Sequence, residues 1–451
     1  METIPVQRAE ATRIMHLGPG AFFRAHMADY SQKALAEDPS MGIAAVSMRS
    51  TAVVDALRER DCIYSLSELH ADGLRTRPIG VIREAVALAR DRERVMRLAV
   101  DPGLSIISMT VTEKGYSLDP ATGALDLDQS DIRHDLANRD NPVTVAGLLT
   151  AILSARRHAG LDWPTVMSLD NLRGNGQLLK SAIIRFARKI DGELADAIER
   201  DLACPSSMVD RITPATTDAD RQAIARQLGW MDHAAVVTEP FSQWVIEDRF
   251  DGARPAWDRH GALITGDVEP FENAKLRLVN APHSSLAWLG LLRGHETVAD
   301  SMADNTIRTF IEALLKEEMI PATAVPAGLD PHAHVDSVIE RFANPAIRHR
   351  VAQIAMDSSQ KIAQRLVPAL EWHLREGRVP RLLCRAVAAW IAVWQRGLAS
   401  PDPMTAELAS RISARPQETA RAFLGMRSIF GERIGADAAV QAAVCAEITR
   451  I

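Results

Sequence analysis

The chain has 451 residues, of which 47% are hydrophobic and 24% charged, and its formal net charge is −6. This composition is ordinary for globular domains, and the length leaves room for two or three of them. The acidic balance argues against nucleic acid as the main partner, because no basic excess is present to neutralise phosphates. No apolar run reaches the ~18 residues of a membrane-spanning helix, and residues 1–13 lack a signal peptide's apolar block. We therefore expect a cytoplasmic protein.

A strand, a glycine turn and a helix follow one another near the start of the chain. Residues 12–17 predict a buried strand, Gly18-Pro-Gly20 a tight turn, and the apolar pattern from Met27 onward a helix. In this arrangement, backbone amides and the helix N-terminus receive a pyrophosphate. Phe23 stands where the usual third glycine belongs, so an ordinary tight turn is an equal alternative.

The second predicted strand, residues 42–48, ends at Arg49. A dinucleotide domain that prefers NAD often has an acidic residue at this place for the adenosine ribose, whereas arginine can meet a 2′-phosphate. Arg49 therefore leaves NADP open beside NAD. A solvated arginine at a strand end is an equally valid interpretation.

Strands and helices alternate as far as about residue 270. Strand patterns cover residues 63–69, 74–81, 104–111, 165–169, 234–239 and 244–247, and helix patterns cover 92–98, 143–158 and 178–189. Two of the strands lead into polar turns, at Thr110–Gly115 and Asp170–Gly176. Open α/β sheets bind ligands at the carboxyl ends of their strands, which favours a ligand crevice here. Asparagine and glycine can also act simply as turn formers.

After about residue 271 the apolar periodicity becomes helical throughout. Helices are predicted at 271–292, 299–319, 346–364, 379–397, 403–412, 416–425 and 435–449. The fold class is thus an α/β, Rossmann-like dinucleotide-binding domain (1–270) followed by a mostly α-helical substrate-binding domain (271–451). No Gly/Ser-rich linker separates the two, so we expect them to pack closely around a site in the cleft between them.

The first C-terminal helix carries Lys275, Asn280 and His283. At ~100° per residue, Asn280 lies ~140° and His283 ~80° round from Lys275, so all three can face one concavity. A desolvated lysine can act as a base, an amide can donate to an oxyanion, and an imidazole can orient a substrate. The alternative is a surface helix with a solvated lysine. Pro282 is expected to kink or restart the helix.

Metal and redox motifs are missing from the sequence. The four cysteines, at positions 62, 204, 384 and 445, are too far apart for metal-ligand or disulfide-exchange motifs and are expected to be reduced thiols. His332 and His334 form the closest histidine pair. Without a nearby cysteine they are interpreted as loop residues, and no metal site is expected.

The chain resembles the mannitol dehydrogenase family of long-chain, zinc-independent polyol dehydrogenases. The likeness covers nearly the whole chain and rests on a series of segments in one order: residues 16–26, 110–116, 168–176, 208–214, 239–248, 275–283, 341–345 and 355–361. Each segment is modest evidence by itself, but the ordered series is specific. The resemblance implies an NAD(P)-dependent dehydrogenase that acts on a CH–OH group of a sugar or sugar acid.

The resemblance also implies roles for individual residues. Lys275 would be the general base in alcohol oxidation and the general acid in ketone reduction, and burial is expected to lower its pKa. The substrate oxygen would be held by Asn171 and Asn280, the substrate hydroxyls oriented by His283, and the proton path lined by Glu113 and Glu272. Cofactor contacts are implied at Gly18, Gly20, Phe22, Arg49, Thr112 and Asn171. NAD is the expected cofactor, and a monomer or weak homodimer the expected state.

Within the family, residues 113–116, 344–350 and 357–365 look like the branch that interconverts D-mannonate and D-fructuronate. A cationic cluster of Arg348, Lys361 and Arg365 would suit a substrate that ends in a carboxylate, although the same charges could lie on a water-facing helix. Residues 281–282 and 357–359 depart from the family pattern and leave fine substrate preference open. The alternatives are a dehydrogenase of a neutral polyol (mannitol, arabinitol or sorbitol) and a nucleotide-binding regulator without catalysis.

Overall fold

The computed structural model describes residues 5–111, 113–118 and 124–451, and for residues 113 and 114 it describes the backbone alone. The chain divides into two compact units, residues 1–269 and residues 270–451. The division lies one residue before the boundary that the change of sequence pattern indicates.

A five-stranded parallel sheet forms the centre of the first unit. Its strands are β1 (Thr12–Leu17), β2 (Gly42–Ser47), β5 (Ile82–Ala87), β6 (Ile106–Met109) and β7 (Thr165–Ser168), in the order β5-β2-β1-β6-β7. Successive side chains point to opposite faces, so Ile14 and Ile43 enter one apolar core while Met15 and Ala44 enter another. Both faces are therefore covered, as a parallel sheet requires.

The strand order places a topological switch point between β1 and β6. From β1 the chain builds outward through β2 and β5, then returns to add β6 and β7 on the other side. The turns after β1 and β6 therefore leave the same sheet edge side by side. In open α/β sheets this is the position of the ligand crevice.

Two three-stranded sheets complete the strands of this unit. One has the order β4-β3-β9, with β3 (Tyr64–His70) antiparallel to β4 (Gly73–Ile79) and parallel to β9 (Val236–Thr238). The other has the order β11-β10-β8, formed by Ser207–Asp210 (β8), Gln243–Glu247 (β10) and Leu263–Thr265 (β11).

The helices of the first unit begin at recognisable caps. Thr144 and Asp191 accept the backbone N–H groups of Gly147 and Leu194 at two helix starts. The helices are α1 (Ala21–Ala25), α2 (Met27–Ala34), α3 (Ala52–Arg58), α4 (Arg92–Ala99), α5 (Ser130–Ala137), α6 (Val145–His158), α7 (Asn175–Arg188), α8 (Gly192–Asp201) and α9 (Asp218–Leu228).

The described part of the second unit is helical. Its first helix, α10, begins at Glu269 and crosses the unit boundary. The helices are α10 (Glu269–Lys275), α11 (Ala281–Arg293), α12 (Val298–Ala303), α13 (Asn305–Ala313), α14 (Pro331–Ala343), α15 (Val351–Ile354), α16 (Ser358–Arg365), α17 (Val367–Arg375), α18 (Arg381–Gln395), α19 (Thr405–Ser410), α20 (Pro416–Leu424), α21 (Arg427–Ala436) and α22 (Ala438–Ile448), with π-helical turns at Leu276–Asn280 and Leu314–Met319. Helix α18 is buried along most of its length and lies at the centre of a single apolar core.

Several elements differ from the sequence-based expectation. His332 and His334 were predicted to lie in a loop, which is wrong, because both belong to α14. Asp330 accepts the N–H groups of His332 and Ala333, and Pro331 occupies the first turn, so the start signal of the helix was present. The helix predicted at 346–364 is broken, because Asp357 adopts φ +53° between α15 and α16.

Candidate active site

The Gly18 turn directly follows β1 and is fixed by hydrogen bonds to one carbonyl. Gly18 has φ +87°, and a Cβ there would collide with the Thr110 carbonyl oxygen, so only glycine fits. The Gly18 oxygen accepts from the Gly20 N–H (2.7 Å), the Thr110 hydroxyl (2.6 Å) and His16 Nε2 (3.2 Å). The end of β1 and the end of β6 are thereby joined at the switch point.

His16 supports this turn from below. Its Nδ1 lies 2.9 Å from the Ser108 hydroxyl, and burial lowers the pKa of His16 to about 3, so the ring is neutral and Nε2–H donates to Gly18. Phe23, which replaces the third glycine of the usual fingerprint, is fully buried and stacks on the His16 ring at 3.6 Å between centroids. The missing glycine therefore reflects an aromatic stack that strengthens the same turn.

The surroundings of Gly20 fit a dinucleotide phosphate. A Cβ added at Gly20 would meet nothing nearer than the Gly18 oxygen at 4.0 Å, so the space in front of its backbone is open. Phe22, in the following helix, is half-buried and stacks on His26 with centroids 5.0 Å apart. An open glycine backbone at a switch point is the arrangement in which a pyrophosphate approaches the chain.

The remaining candidate cofactor residues that the structure describes lie at the ends of other strands. Arg49 follows β2 and is 78% exposed, with its guanidinium 2.6 Å from the carboxylate of Asp131. Thr112 and the side chain of Glu113 lie outside the described residues. Asn171 is exposed just beyond β7, at the same strand-end edge as the Gly18 turn.

The turn that carries Asn171 is held by two buried side chains. Asp170 accepts the N–H of Val111 at 3.0 Å and the hydroxyl of Tyr116 at 3.0 Å, which connects the turns after β6 and β7. The Asn175 amide donates to the carbonyls of Asp170 (2.9 Å) and Ser207 (2.8 Å). Of the two asparagines in this motif, Asn175 is structural, and Asn171 is the one that the fold leaves at the surface.

In the second unit, Lys275 is the last residue of α10 and only 8% exposed. Glu272, one turn earlier, is equally buried. The alternative of a solvated lysine on a surface helix is therefore wrong. A carboxyl group and an amino group that are both buried on successive turns can exchange a proton.

The helix changes its hydrogen bonding directly after Lys275. Residues Leu276–Asn280 form a π-helical turn, closed by the bond from the Ala281 N–H to the Leu276 carbonyl. Pro282, which lacks an N–H for the Leu278 carbonyl, stands at the first turn of α11. The angles expected from regular α-helical geometry do not hold across this turn, and π-turns of this kind are frequent at functional sites.

His283 lies among aromatic and basic side chains. Its ring stacks on Phe342 (centroids 4.7 Å apart) and meets the edge of His349 (5.1 Å). Burial, followed by the charges of His349 and Arg365, lowers the pKa of His283 well below its ordinary value. The imidazole is therefore neutral near pH 7.

Lys361 and Arg365 lie on successive turns of α16, as their spacing predicts. Lys361 donates to the Ile354 carbonyl at 3.0 Å, and burial together with the charge of Arg365 lowers the pKa of Lys361 to about 8. Arg365 Nη1 donates to the Asn280 carbonyl (3.1 Å) and to the Ser284 hydroxyl (2.8 Å), and burial lowers the pKa of Arg365 to about 10. The alternative of a solvated helix face does not describe these two residues.

The described residues form neither a metal site nor a membrane-spanning helix. Across residues 5–111, 113–118 and 124–451, no group of three or more His, Cys, Asp and Glu side chains could hold a metal ion. Within the same ranges no helix is long and apolar enough to cross a bilayer. The thiols of Cys62, Cys204 and Cys384 are buried, which raises their pKa values to about 11, 12 and 12.

Comparison with known proteins identifies the family. Residues 12–259 match the model of the mannitol dehydrogenase Rossmann domain, and residues 267–451 match that of the mannitol dehydrogenase C-terminal domain. This chain belongs to the mannitol dehydrogenase family. Its members are oxidoreductases acting on alcohol groups of sugars and polyols, and the Rossmann-like and helical domains expected from the sequence are confirmed.

Individual relatives of this mannitol dehydrogenase family chain differ in substrate. The D-mannonate oxidoreductase of Escherichia coli (strain K12) is 41% identical over 448 residues, covering 96% of this chain and 92% of that protein. The mannitol 2-dehydrogenase of Aspergillus fumigatus (strain Af293) is 36% identical, covering 96% and 89%. The Pseudomonas fluorescens mannitol 2-dehydrogenase, solved as a ternary complex with NAD and D-mannitol, is 32% identical with a TM-score of 0.83, covering 98% and 92%.

One member of the predicted cationic cluster differs from the others in exposure. Arg348 is exposed. Its charge acts on Asp300, whose pKa is lowered mainly by a hydrogen bond from Thr297 and to a smaller extent by Arg348. The neighbouring His349 faces His283 instead. Sequence reasoning missed Phe342, because segment 341–345 was used only to recognise the family. It also missed His349, because Arg348 was the residue chosen from segment 344–350.

Proposed function

We propose that the protein is an NAD(P)-dependent oxidoreductase that interconverts D-mannonate and D-fructuronate. The observation that carries the choice of a sugar acid is the pair Lys361 and Arg365. Both are half-buried in the same helical unit as Lys275, and their hydrogen-bond acceptors are carbonyl and hydroxyl oxygens. A carboxylate is the ligand group that such cations bind most strongly.

The chemistry assigned to Lys275 follows from what an alcohol oxidation needs. When bound, a nicotinamide supplies the hydride acceptor in oxidation and the hydride donor in reduction. Lys275, in its neutral form, takes the proton of the substrate hydroxyl as the C–H bond is lost. In the reverse direction its ammonium returns that proton to the oxygen of the ketone. Glu272, buried one turn away, passes the proton onward.

Three further side chains complete the proposed site. The amides of Asn171 and Asn280 donate hydrogen bonds to the reacting oxygen, which carries negative charge as the proton and hydride part. His283, neutral because its pKa is lowered by burial, binds a substrate hydroxyl. Negative charge on the oxygen is thus stabilised by the ammonium that forms when Lys275 takes the proton and by two amide donors.

The experiment is a spectrophotometric assay of NAD(P)H formation with the purified protein. D-Mannonate and D-mannitol are each tested with NAD and with NADP. Turnover of D-mannonate in excess of D-mannitol supports the proposal. Turnover of D-mannitol alone contradicts the sugar-acid assignment and leaves the role of Lys275 open to test.

Lys275 is tested by replacement with methionine, which keeps the length and removes the ammonium. We expect kcat to fall by about 10³-fold, the scale of general acid–base catalysis, with cofactor binding retained. Lys316→Met is the matched control, since Lys316 is exposed within the other π-turn and pairs with Asp336. Equal activities of the two variants would contradict the assignment.

A neutral-polyol dehydrogenase is the second candidate, because mannitol 2-dehydrogenases match almost the whole chain. In that case the hydroxyls of a polyol would occupy the positions near Lys361 and Arg365. The same assay distinguishes the candidates, because D-mannonate and D-mannitol differ only in one terminal group.

A further inference from the structure

His349 is held by its backbone in a fixed position. Its carbonyl accepts the N–H of Val298 at 3.0 Å, its own N–H donates to the Ile347 carbonyl at 2.9 Å, and the next residue, Arg350, forms a β-bridge with Thr297. The segment before α15 is thereby anchored to the start of α12. A side chain presented from such a segment is pre-organised, although it belongs to no regular element.

The ring of His349 lies against His283 without a hydrogen bond between them. The centroids are 5.1 Å apart and the planes meet at 69°. His283 Nε2 and His349 Nδ1 are both buried and find no hydrogen-bond partner in the described part of the chain. Buried polar atoms are nearly always paired, and an unpaired one is destabilising. Two such atoms on neighbouring rings indicate a ligand that supplies their missing hydrogen bonds.

The charges around the two rings indicate the sign of that ligand. The groups that act most strongly on His283 are His349, Arg365, Arg341 and Lys361, and all four are basic. Burial and then the charge of Lys361 lower the pKa of His349 in turn. An anionic group at this place would be attracted by the fixed cations and would accept hydrogen bonds from the imidazoles.

Arg365 has an edge available for such an anion. Its Nη1 is occupied by the Asn280 carbonyl and the Ser284 hydroxyl, whereas its Nε and Nη2 make no hydrogen bond within the described residues. The Nε/Nη2 edge of a guanidinium matches the two oxygens of a carboxylate. Asp357 and Asp402 contribute negative charge near Lys361, and Asp402 is already engaged by the hydroxyls of Ser358 and Ser359.

We infer that His349 is a specificity-determining residue, which together with Arg365 binds the carboxylate of the sugar-acid substrate. This assignment rests on the proposed function and deepens it. The carboxylate accepts one hydrogen bond from the His349 ring and a bidentate pair from Arg365. His283 binds the hydroxyl of the adjacent carbon, so the acid end of the substrate is fixed away from the carbon that reacts.

The test compares the KM for D-mannonate and for D-mannitol in the wild type, His349→Asn and His349→Asp. D-Mannitol is followed as a substrate or, where it is not turned over, as a competitive inhibitor. We expect His349→Asn to raise the KM for D-mannonate about 10-fold, the scale of one hydrogen bond to a charged group, and to change kcat less than about 2-fold. His349→Asp should raise the KM for D-mannonate about 100-fold or more, because the carboxylate of the new aspartate then faces that of the substrate.

The KM or inhibition constant of D-mannitol should change less than about 2-fold in either variant, since D-mannitol carries no charge. His332→Asn is the control, because His332 is exposed on α14 of the same unit. Thermal unfolding of each variant checks that it is folded. If the aspartate variant does not fold, the asparagine variant alone decides between the two substrates.

The outcomes separate the two proposals. A wild type that fails to oxidise D-mannonate overturns the proposed function and this inference with it. A wild type that oxidises D-mannonate, with variants that shift both substrates equally or neither, overturns only the role of His349. A selective loss of D-mannonate affinity that grows from asparagine to aspartate supports it.

Discussion

Two arginines, the buried Arg211 in the first unit and the half-buried Arg365 in the second, have different hydrogen-bond partners. Arg211, directly after β8, is 1% exposed and contacts the carboxylates of Asp29 (3.0 Å) and Glu68 (2.9 Å). Arg365, at the end of α16, donates to the neutral oxygens of Asn280 and Ser284 and to no carboxylate of the residues that the structure describes. The first charge is neutralised within the protein, whereas the second is left with neutral partners.

This difference separates a structural charge from a binding one. A buried ion that only supports the fold must be paired, because an unpaired one costs several kcal/mol. Arg211 also donates to the carbonyl of Ala25, at the end of α1, so its pairs attach the helices after the Gly18 turn to β3. Arg365 lacks a counter-charge among its hydrogen-bond partners, and a substrate carboxylate would provide one.

His16, His283 and His349 show a related contrast. In the first unit, His16 contacts Ser108, Gly18 and Thr110, and both of its ring nitrogens are occupied. In the second unit, His283 and His349 each keep one buried ring nitrogen without a partner among the described residues. Incomplete hydrogen bonding alone does not mark a ligand site, since His26 in the first unit also has a buried Nδ1 without a partner among the described residues. At His283 and His349 it coincides with a surrounding group of cations, and this combination indicates a ligand.

The largest expected effect is on stability, from Arg211→Met. Removing one member of a buried ionic network leaves carboxylates without their partner and should lower the free energy of unfolding by about 3 kcal/mol. Arg365→Met, matched in shape, should change that free energy by less than about 1 kcal/mol, because it leaves no carboxylate unpaired. Urea unfolding followed by circular dichroism measures both.

In substrate binding, Arg365→Met should have a larger effect than Arg211→Met. Arg365→Met should raise the KM for D-mannonate by at least about 10-fold, through loss of a charge-assisted pair. Equal destabilisation by the two replacements would mean that Arg365 is also a structural charge, and the contrast between the units would then fail.

The sequence predicts the contrast only in part, and the reason is geometric. Buried strands such as β1 and β2 appear as apolar runs next to glycine, and Lys361 and Arg365 share a helix face because their spacing is four. His349 and Arg348 lie in irregular backbone, where no periodicity tells which neighbour points inward. Strand β5 was missed because Arg83 and Glu84 interrupt its apolar pattern.

The π-turn after Lys275 could likewise not be predicted from the periodicity of the sequence. Angles counted at ~100° per residue assume α-helical bonding, which Pro282 prevents at the Leu278 carbonyl. The presence of Lys275, Asn280 and His283 in one helical segment was predictable from residue types. Their directions depend on a turn whose outer carbonyl, that of Asn280, is bonded by Arg365 from 85 residues away in sequence.

A smaller loss of stability is expected from Gly18→Ala. At φ +87° an alanine is strained, and its Cβ would collide with the Thr110 carbonyl oxygen. We expect a loss of about 2 kcal/mol and a KM for NAD raised about 10-fold or more, because the turn must open. Gly192→Ala is the control, since a Cβ there meets nothing within 4 Å. Unchanged cofactor affinity in Gly18→Ala would contradict the assignment of this turn.

Acid should weaken the first unit through the Arg211 network. Burial raises the pKa of Asp29, but the charges of Arg77, Lys33 and Arg211 outweigh it and hold the pKa below its ordinary 3.8. Burial likewise raises the pKa of Glu68, but Arg77 and Arg211 outweigh it and hold this pKa below its ordinary 4.5. A carboxyl group with a lowered folded pKa contributes stability above its ordinary pKa, and this contribution is lost as pH falls through the folded value.

The measurement is the free energy of unfolding from pH 7 to pH 3. In Asp29→Asn the protein should be less stable at pH 7, and its further loss below about pH 4 should be smaller than in the wild type. Asp72→Asn removes a carboxylate from an exposed pair with Arg75 and should leave the acid profile unchanged. Parallel profiles for the wild type and Asp29→Asn would show that the network does not control acid stability.

The smallest effect is expected at Arg49. Its pair with Asp131 is exposed on both sides, and such pairs contribute about 0–1 kcal/mol, so Arg49→Ala should leave the free energy of unfolding almost unchanged. Its consequence for cofactor choice is separate. If Arg49 leaves Asp131 to bind a 2′-phosphate, Arg49→Ala should raise the KM for NADP by about 5-fold or more while that for NAD stays constant. Equal KM changes for the two cofactors would assign Arg49 to the surface alone, and the exposed pair with Asp131 would then be its complete role.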